Sequence, residues 1–320
     1  MELVRSVTMR KWFGKKIKSY LGVDLSDSLS HMVAMEFQGS IPTLLDALSV
    51  ETNEEKSIEV LMQTHRIGAR KYDAVAVSVP QNHVDVRYLT LPLLPVVDLR
   101  NMIGFEMIKK LDYRLEEASI DYTLSGSVTG HETNLIHVIG FACRQSITQA
   151  IINRFSPVGL TVDVIDVIPM ALMNFYAYTE PAFHEQTIVG IHIGSTNANI
   201  VVAKKGHLLF SRYLPVVLQM APKELPRFAK DLSAEVFRTL EYCEIHFEPL
   251  TCSHILLTGE GEQLPQLAEF LHEEIGLICN TADLFSIPSI RSQTGVGEKK
   301  IGSELAVAAG LALRLGSEPS

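Results

Sequence analysis

Three short polar segments carry the residue types that could hold a phosphate chain. The first is Asp24-Leu25-Ser26-Asp27-Ser28, with Ser30 just beyond it. The second is His192-Ile193-Gly194-Ser195-Thr196-Asn197, and the third is Thr258-Gly259-Glu260-Gly261. Backbone N–H groups in tight turns, helped by Ser and Thr hydroxyls, make concave anion sites. Asp24, Ser26, Ser28 and Ser30 would supply them in the first turn, and Gly194, Ser195, Thr196 and Asn197 in the second. A carboxylate beside the phosphates holds magnesium through water, and Asp24 is the candidate. The glycines of the third segment, Gly259 and Gly261, would let a flat ligand approach the backbone. Asp, Ser, Gly and Asn are also ordinary turn formers, so each segment taken alone reads equally as a plain turn. Their recurrence together favours the phosphate reading.

The elements that must position these turns follow from the local pattern. Ser19–Val23 and His31–Phe37 read as strands on either side of the first turn. Thr187–Ile191, Ala198–Ala203 and His207–Tyr213 repeat that device about 170 residues later, with Lys204-Lys205-Gly206 as a second turn. Such a repeat points to duplicated halves. Between them lie a helix at 54–68, strands at 73–79 and 84–91, a helix at 98–111, a strand pair at 120–127 and 135–142, and a helix at 146–158. Gly159 caps that last helix. A strand at 160–167 and a helix at 170–178 complete the first part. After the second turn come a long helix at 223–246, a buried strand at 255–258, a helix at 264–275 and an Ala-rich helix at 304–315, whose small residues permit close packing.

The 320 residues, 47% hydrophobic and 20% charged, suit a folded two-domain protein. A formal net charge of −9 argues against nucleic acid as the partner. Cys143, Cys243, Cys252 and Cys279 form no CxxC pair, so neither a zinc site nor a disulfide framework is indicated, and free thiols suit a reducing cytoplasm. No apolar run reaches membrane-span length, and the start lacks the apolar segment of a secretory signal. Residues 5–18 are basic and contain Trp12 and Phe13; they read either as a surface anchor for anionic lipid or as a solvated tail. There is no HExxH or GxSxG pattern.

Five segments in order resemble the PilM family of type IV pilus assembly proteins, within the actin, Hsp70 and hexokinase superfamily. They are Tyr20-Leu21-Gly22-Val23-Asp24-Leu25-Ser26; Val77-Ser78-Val79-Pro80 with Val86–Pro92; Val164–Leu172; Ser233–Tyr242, which includes Glu235; and Leu256–Gly261 with Leu264–Leu267. The resemblance covers roughly residues 19–315. It implies an α/β, actin-like (ribonuclease H-like) fold of duplicated halves with an inserted small α+β subdomain. Its expected boundaries are a basic tail at 1–18, a first half at 19–92 and 170–186, an insert at 93–169 and a second half at 187–320. It further implies ATP or ADP with Mg²⁺ held by the three turns and Glu235, and a scaffold in the cytoplasm, peripheral at the inner membrane. Its partner would be the N-terminal cytoplasmic peptide of a PilN-like membrane protein, in a groove between the insert and the first half, near residues 93–170. Self-association into a homo-oligomer is compatible with this. Two positions depart from the family. His192 stands where Asp is usual, and Glu260 where a third glycine is usual. Both weaken ATP hydrolysis, so a scaffold is expected rather than an enzyme. Two alternatives remain at this point. A small-molecule kinase of the superfamily would need a carboxylate base that is not evident. An FtsA-like filament protein would end in an amphipathic helix, which Gly316–Ser320 does not form.

Overall fold

Strand β1 (Ile17–Leu25) is buried without interruption from Tyr20 to Leu25, as expected for a strand covered on both faces of its sheet. The computed structural model describes residues 17–25, 29–51, 67, 70–127, 134–180, 184–215, 223–247, 250–293 and 302–317. Strand β1 pairs antiparallel with β2 (Leu29–Gln38), Asp24 opposite His31, and parallel with β4 (Ala74–Val79), Leu21 opposite Val75. Between them in sequence comes β3 (Ile41–Glu51), to which the sequence reading assigned no element. Its Leu44 and Leu45 are both buried, and a register shift opposite Ala34/Met35 breaks the simple alternation. The helix expected at 54–68 lies outside the described residues, apart from the buried Ile67. So does the basic tail up to residue 16; Ile17 and Lys18 already belong to β1.

The chain then makes a detour. Strand β5 (Asp85–Pro92), helix α1 (Val96–Ile108) and strands β6 (Ala118–Ser127) and β7 (Leu135–Arg144) build a three-stranded sheet, order β5-β7-β6. Helix α1 covers it with Leu99, Ile103 and Met107 packed against Ile136 and Val138. After the detour come α2 (Gln145–Phe155), a short 3₁₀ turn and Gly159, whose φ of 72° is the left-handed cap that the sequence indicates. Strand β8 (Val164–Val167) then pairs parallel with β4.

The second half repeats the first. Strands β9 (Thr187–Ile193), β10 (Asn197–Lys204) and β11 (His207–Pro215) are antiparallel. Helix α4 (Leu225–His246), strand β12 (Cys252–Gly259), helix α5 (Leu264–Ile275) and strand β13 (Ile278–Thr281) follow, after α3 (Ile168–Thr179) has joined the halves. The second sheet runs β11-β10-β9-β12-β13, the counterpart of β3-β2-β1-β4-β8 in the first. The duplication read from two polar turns therefore extends to whole strand orders, and the fold is the expected actin-like α/β one.

Sheet pairing moves three of the expected boundaries. Residues 85–92 pair with β7, so the insert starts before residue 93. Strand β8 and α2, placed in the insert by sequence, belong to the first half: β8 extends its sheet, and Ile151 and Phe155 enter its core with Leu21 and Val77. Strand β14 (Arg291–Ser292) pairs parallel with β3, and α6 (Ala306–Gly316) packs on β1, β2, β4 and α3. The end of the chain thus returns to the first half. Helix α6 is buried all round from Ala306 to Leu313, which a helix achieves only between two layers. Together α3 and α6 share one apolar cluster with residues of both halves, among them Tyr20, Val33, Ile188 and Leu256.

Tyr88 on β5 fastens the insert to the second half. Its hydroxyl donates to the Ser211 carbonyl at 2.7 Å and accepts from the Ser211 N–H at 2.8 Å, satisfying the outer edge of β11. Its ring stacks on Phe210 at 4.5 Å. Burial drives the hydroxyl pKa up to about 12, so it remains a donor. Tyr88→Phe is expected to leave two backbone groups unpaired and to lower unfolding stability by about 1–3 kcal/mol in urea titrations. A loss below about 0.5 kcal/mol would show that water replaces the hydroxyl.

Candidate functional site

Strands β1 and β9 end side by side, and this brings the polar turns of the two halves to one cleft. A cavity there is lined by Asp24, His192, Gly194, Ser195, Asn197 and Glu260, with Pro80, Gln81 and Tyr213 among its other walls. Its volume is about 20 Å³. That is room for about one water, whereas small-molecule pockets run to ~300–1,000 Å³.

The remaining candidates fall elsewhere. Ser26 and Ser28 lie outside the described residues. Ser30 is buried at 1% exposure. Thr196 is exposed beside Asn197. Gly259 (φ 119°) is needed for packing: a Cβ there would strike the Ile193 backbone. Gly261 (φ 107°) continues the turn and is not among the cavity walls. Glu235, expected at the nucleotide, is not among the walls of this cavity and is held on α4 by two guanidinium groups. Arg212 reaches it at 3.0 Å, and Arg238, three residues along the helix, also contacts it. The turns' own N–H groups are also engaged, Gly194 N–H on the Asn197 carbonyl at 2.8 Å and Glu260 N–H on the Ile193 carbonyl at 2.8 Å.

The charges at the cleft form a network that the sequence reading missed. Asp24 Oδ1 accepts from the Ser78 hydroxyl at 2.6 Å, and Ser78 Oγ accepts from the Leu25 N–H at 3.0 Å. Burial raises the Asp24 pKa, against the pull of His31 and Ser78. Ser49 on β3 donates its one proton to Glu304 at 2.5 Å, so it accepts from His31 Nδ1 at 2.9 Å. That leaves His31 Nε2 facing Glu260 at 3.8 Å, inside ion-pair range. Burial lowers the His31 pKa, but Glu260, Asp24 and Glu304 outweigh it and the net shift is upward. His192 behaves oppositely. It is 7% exposed, hydrogen-bonded to Thr258 at 3.1 Å, and pushed down to about 3 by burial and then by the charge of His31. It is a neutral imidazole. In a hairpin with Ser19–Val23 and His31–Phe37 as strands, a symmetric count sets Asp24 opposite Ser30, one residue short of its observed partner His31.

A second site lies at the insert. Strand β6 ends the inserted sheet and β8 ends the first sheet, so two sheet-edge strands border one groove. One part of it, about 280 Å³, is lined by Val84, Ile120, Phe141, Ile152 and Ile165 among others. A continuation of about 230 Å³ adds Tyr122, Met170, Asn174 and Arg314. Asp166 lies at the junction, 6% exposed, paired with Arg314 and accepting from the Val167 N–H at 2.8 Å. Burial raises its pKa more than Arg314 lowers it. A hollow of about 420 Å³ between α5 and β13 contains none of the candidate residues. Among the described residues no group of three or more His, Cys, Asp or Glu could hold a metal ion, and no helix is long and apolar enough to cross a membrane.

Comparison with known proteins agrees with this architecture. A chain of the PilM–PilN type IV pilus biogenesis complex superposes with a TM-score of 0.74 at 21% identity, covering 94% of this chain and 99% of that one. A Bacteroides thetaiotaomicron protein with an actin-like ATPase fold gives 0.50 at 11% identity, over 95% and 99% of the two chains. The cytoplasmic domain of EpsL, an inner-membrane component of the Vibrio cholerae type II secretion system, gives 0.50 at 11% identity, over 94% and 96%. These likenesses speak for the fold. The sequence model of the type IV pilus assembly protein PilM matches residues 19–215, well over half of the 320, and the chain therefore belongs to the PilM family.

Proposed function

We propose that this chain is an actin-like scaffold of a type IV pilus or related secretion machine, and that it takes the N-terminal cytoplasmic peptide of a PilN-like inner-membrane protein between β6 and β8. The observation that carries this reading is the groove itself. Two sheet-edge strands flank a largely apolar floor, the arrangement by which an extended peptide is held through main-chain hydrogen bonds and alternate side-chain pockets. Asp121, exposed on β6, offers a charge for its polar side chains, and Arg314, paired with Asp166, lines the other end. The partner would tether the chain at the cytoplasmic face of the inner membrane.

We read the cleft as catalytically silent. A working phosphoryl-transfer site needs a group that orients the attacking oxygen and a carboxylate free for metal. Here Asp24 Oδ1 is engaged by Ser78, and His192 is neutral and bonded to Thr258. Both support a scaffold over an enzyme.

The test is fluorescence anisotropy with the labelled N-terminal peptide of the PilN-like protein. Binding is expected in the wild type. Ile120→Arg, half-buried on β6, is expected to weaken it by about 30-fold or more, the roughly 2 kcal/mol of a buried anchor position. Ile278→Arg, 60% exposed on β13 of the other half, should leave it unchanged. Equal binding by all three proteins, or none by the wild type, would overturn the groove assignment.

A further inference from the structure

We propose that the cleft between the two halves is held shut by this chain's own side chains, a His31–Glu260 bridge braced by Asp24 and Glu304, and that it takes no magnesium–adenine nucleotide while the bridge stands. The bridge spans the halves. His31 comes from β2 of the first and Glu260 from the turn after β12 of the second. Glu304 sits in the 3₁₀ turn (Gly302–Leu305) that leads the chain back to the first half.

Among the described residues, the geometry leaves a nucleotide without the partners it requires. Three carboxylates, those of Asp24, Glu260 and Glu304, act on one imidazole that is 1% exposed. Incoming phosphates would add negative charge to that group of carboxylates. The imidazole stands among the carboxylates where a cation would be needed to offset them. Asp24, the candidate for that cation, is buried at 2% exposure with Oδ1 hydrogen-bonded to Ser78. The N–H groups of Gly194 and Glu260, which would cradle phosphate oxygens, are bonded to backbone carbonyls. About 20 Å³ of space remains. His192, on the opposite wall, is neutral and offers no second charge. Glu260 therefore acts as more than a crowding side chain in a glycine turn: it is the second half's contribution to the closure.

The experiment is isothermal titration of the full chain with ATP–Mg²⁺ at about 1 mM, enough to reveal any Kd below that value, with thermal melting in the same buffers. The wild type should show neither heat nor a melting shift. Glu260→Gly should gain binding by roughly tenfold or more and a melting shift with nucleotide. Micromolar binding by the wild type would overturn the proposal, as would silence from a folded Glu260→Gly. Should Glu260→Gly fail to fold, Glu260→Gln and His31→Gln carry the test by a double-mutant cycle in urea, with circular dichroism confirming fold. Glu260→Gln should destabilise the wild type and have no such effect on the His31→Gln background. Additive effects would overturn the bridge. Peptide anisotropy on the same proteins is independent of either result, so a failed groove and a failed bridge are distinguishable.

Discussion

Gly22→Ala is expected to cost at least about 3 kcal/mol, although it adds a single methyl group. Gly22 lies in the middle of β1, where α6 crosses. A Cβ there would strike the Ala308 carbonyl and stand 2.7 Å from the Ala312 N–H and 3.0 Å from Leu311 Cβ. Two of those obstacles are helix backbone, which cannot turn aside as a side chain does. The helix must lift, and every buried residue from Ala306 to Leu313 loses contact with the sheet. Overpacking of this kind ordinarily costs ~1–3 kcal/mol, and a backbone obstacle places the result at the upper end. Gly104→Ala is the control. It sits inside α1, and its Cβ would meet only Leu115 Cδ1 at 3.7 Å, an ordinary contact. Replacing a helix-interior glycine with alanine there should raise stability by up to about 1 kcal/mol. Chemical unfolding of the two variants beside the wild type checks both signs. A mild effect at Gly22 would mean that α6 does not seat on β1 as described.

His192 should make the protein acid-labile in a specific window. Its pKa falls to about 3 in the folded state, chiefly through burial, from an unfolded value near 6.5. The unfolded chain therefore binds the proton first. Stability is intact above about pH 6.5 and falls as pH drops toward 3, by roughly 1.4 kcal/mol per unit from this one group. His31, with its raised pKa, works in the opposite direction: its contribution is present at low pH and lost as pH rises through its folded value. A direct comparison separates them. His192→Gln keeps a group able to bond Thr258 and does not titrate. Between pH 7 and 4.5 it should lose about 2–3 kcal/mol less than the wild type, read from urea midpoints. Parallel curves for the two proteins would show that His192 accepts its proton without unfolding.

Much of the architecture was readable because it rests on short-range chemistry. Strand–turn–strand patterns around Asp24–Ser28 and His192–Asn197 depend on neighbours in sequence, and they revealed the duplication. Gly159 could be read as a cap because a left-handed residue after a helix is a local requirement. The alanines of α6 announced close packing, though not against what.

What the sequence by itself determined, then, was most of the elements, the repeat and the family, though not strand β3. What only the tertiary structure decided was which distant segments meet. Residues 85–92 are half-buried alternating strand whether they pair in the first sheet or in the insert, and only the partner β7 settles it. Helix α6 carries an all-round apolar surface that would satisfy either half; glycines at 22 on β1 and 310 on α6 let its backbone seat closely on β1 and α3. His31, Ser49, Ser78 and Glu304 are individually unremarkable polar residues spread over more than 270 positions. They become a site because burial strips them of water and leaves them only one another as partners, a long-range consequence of folding that no local pattern encodes.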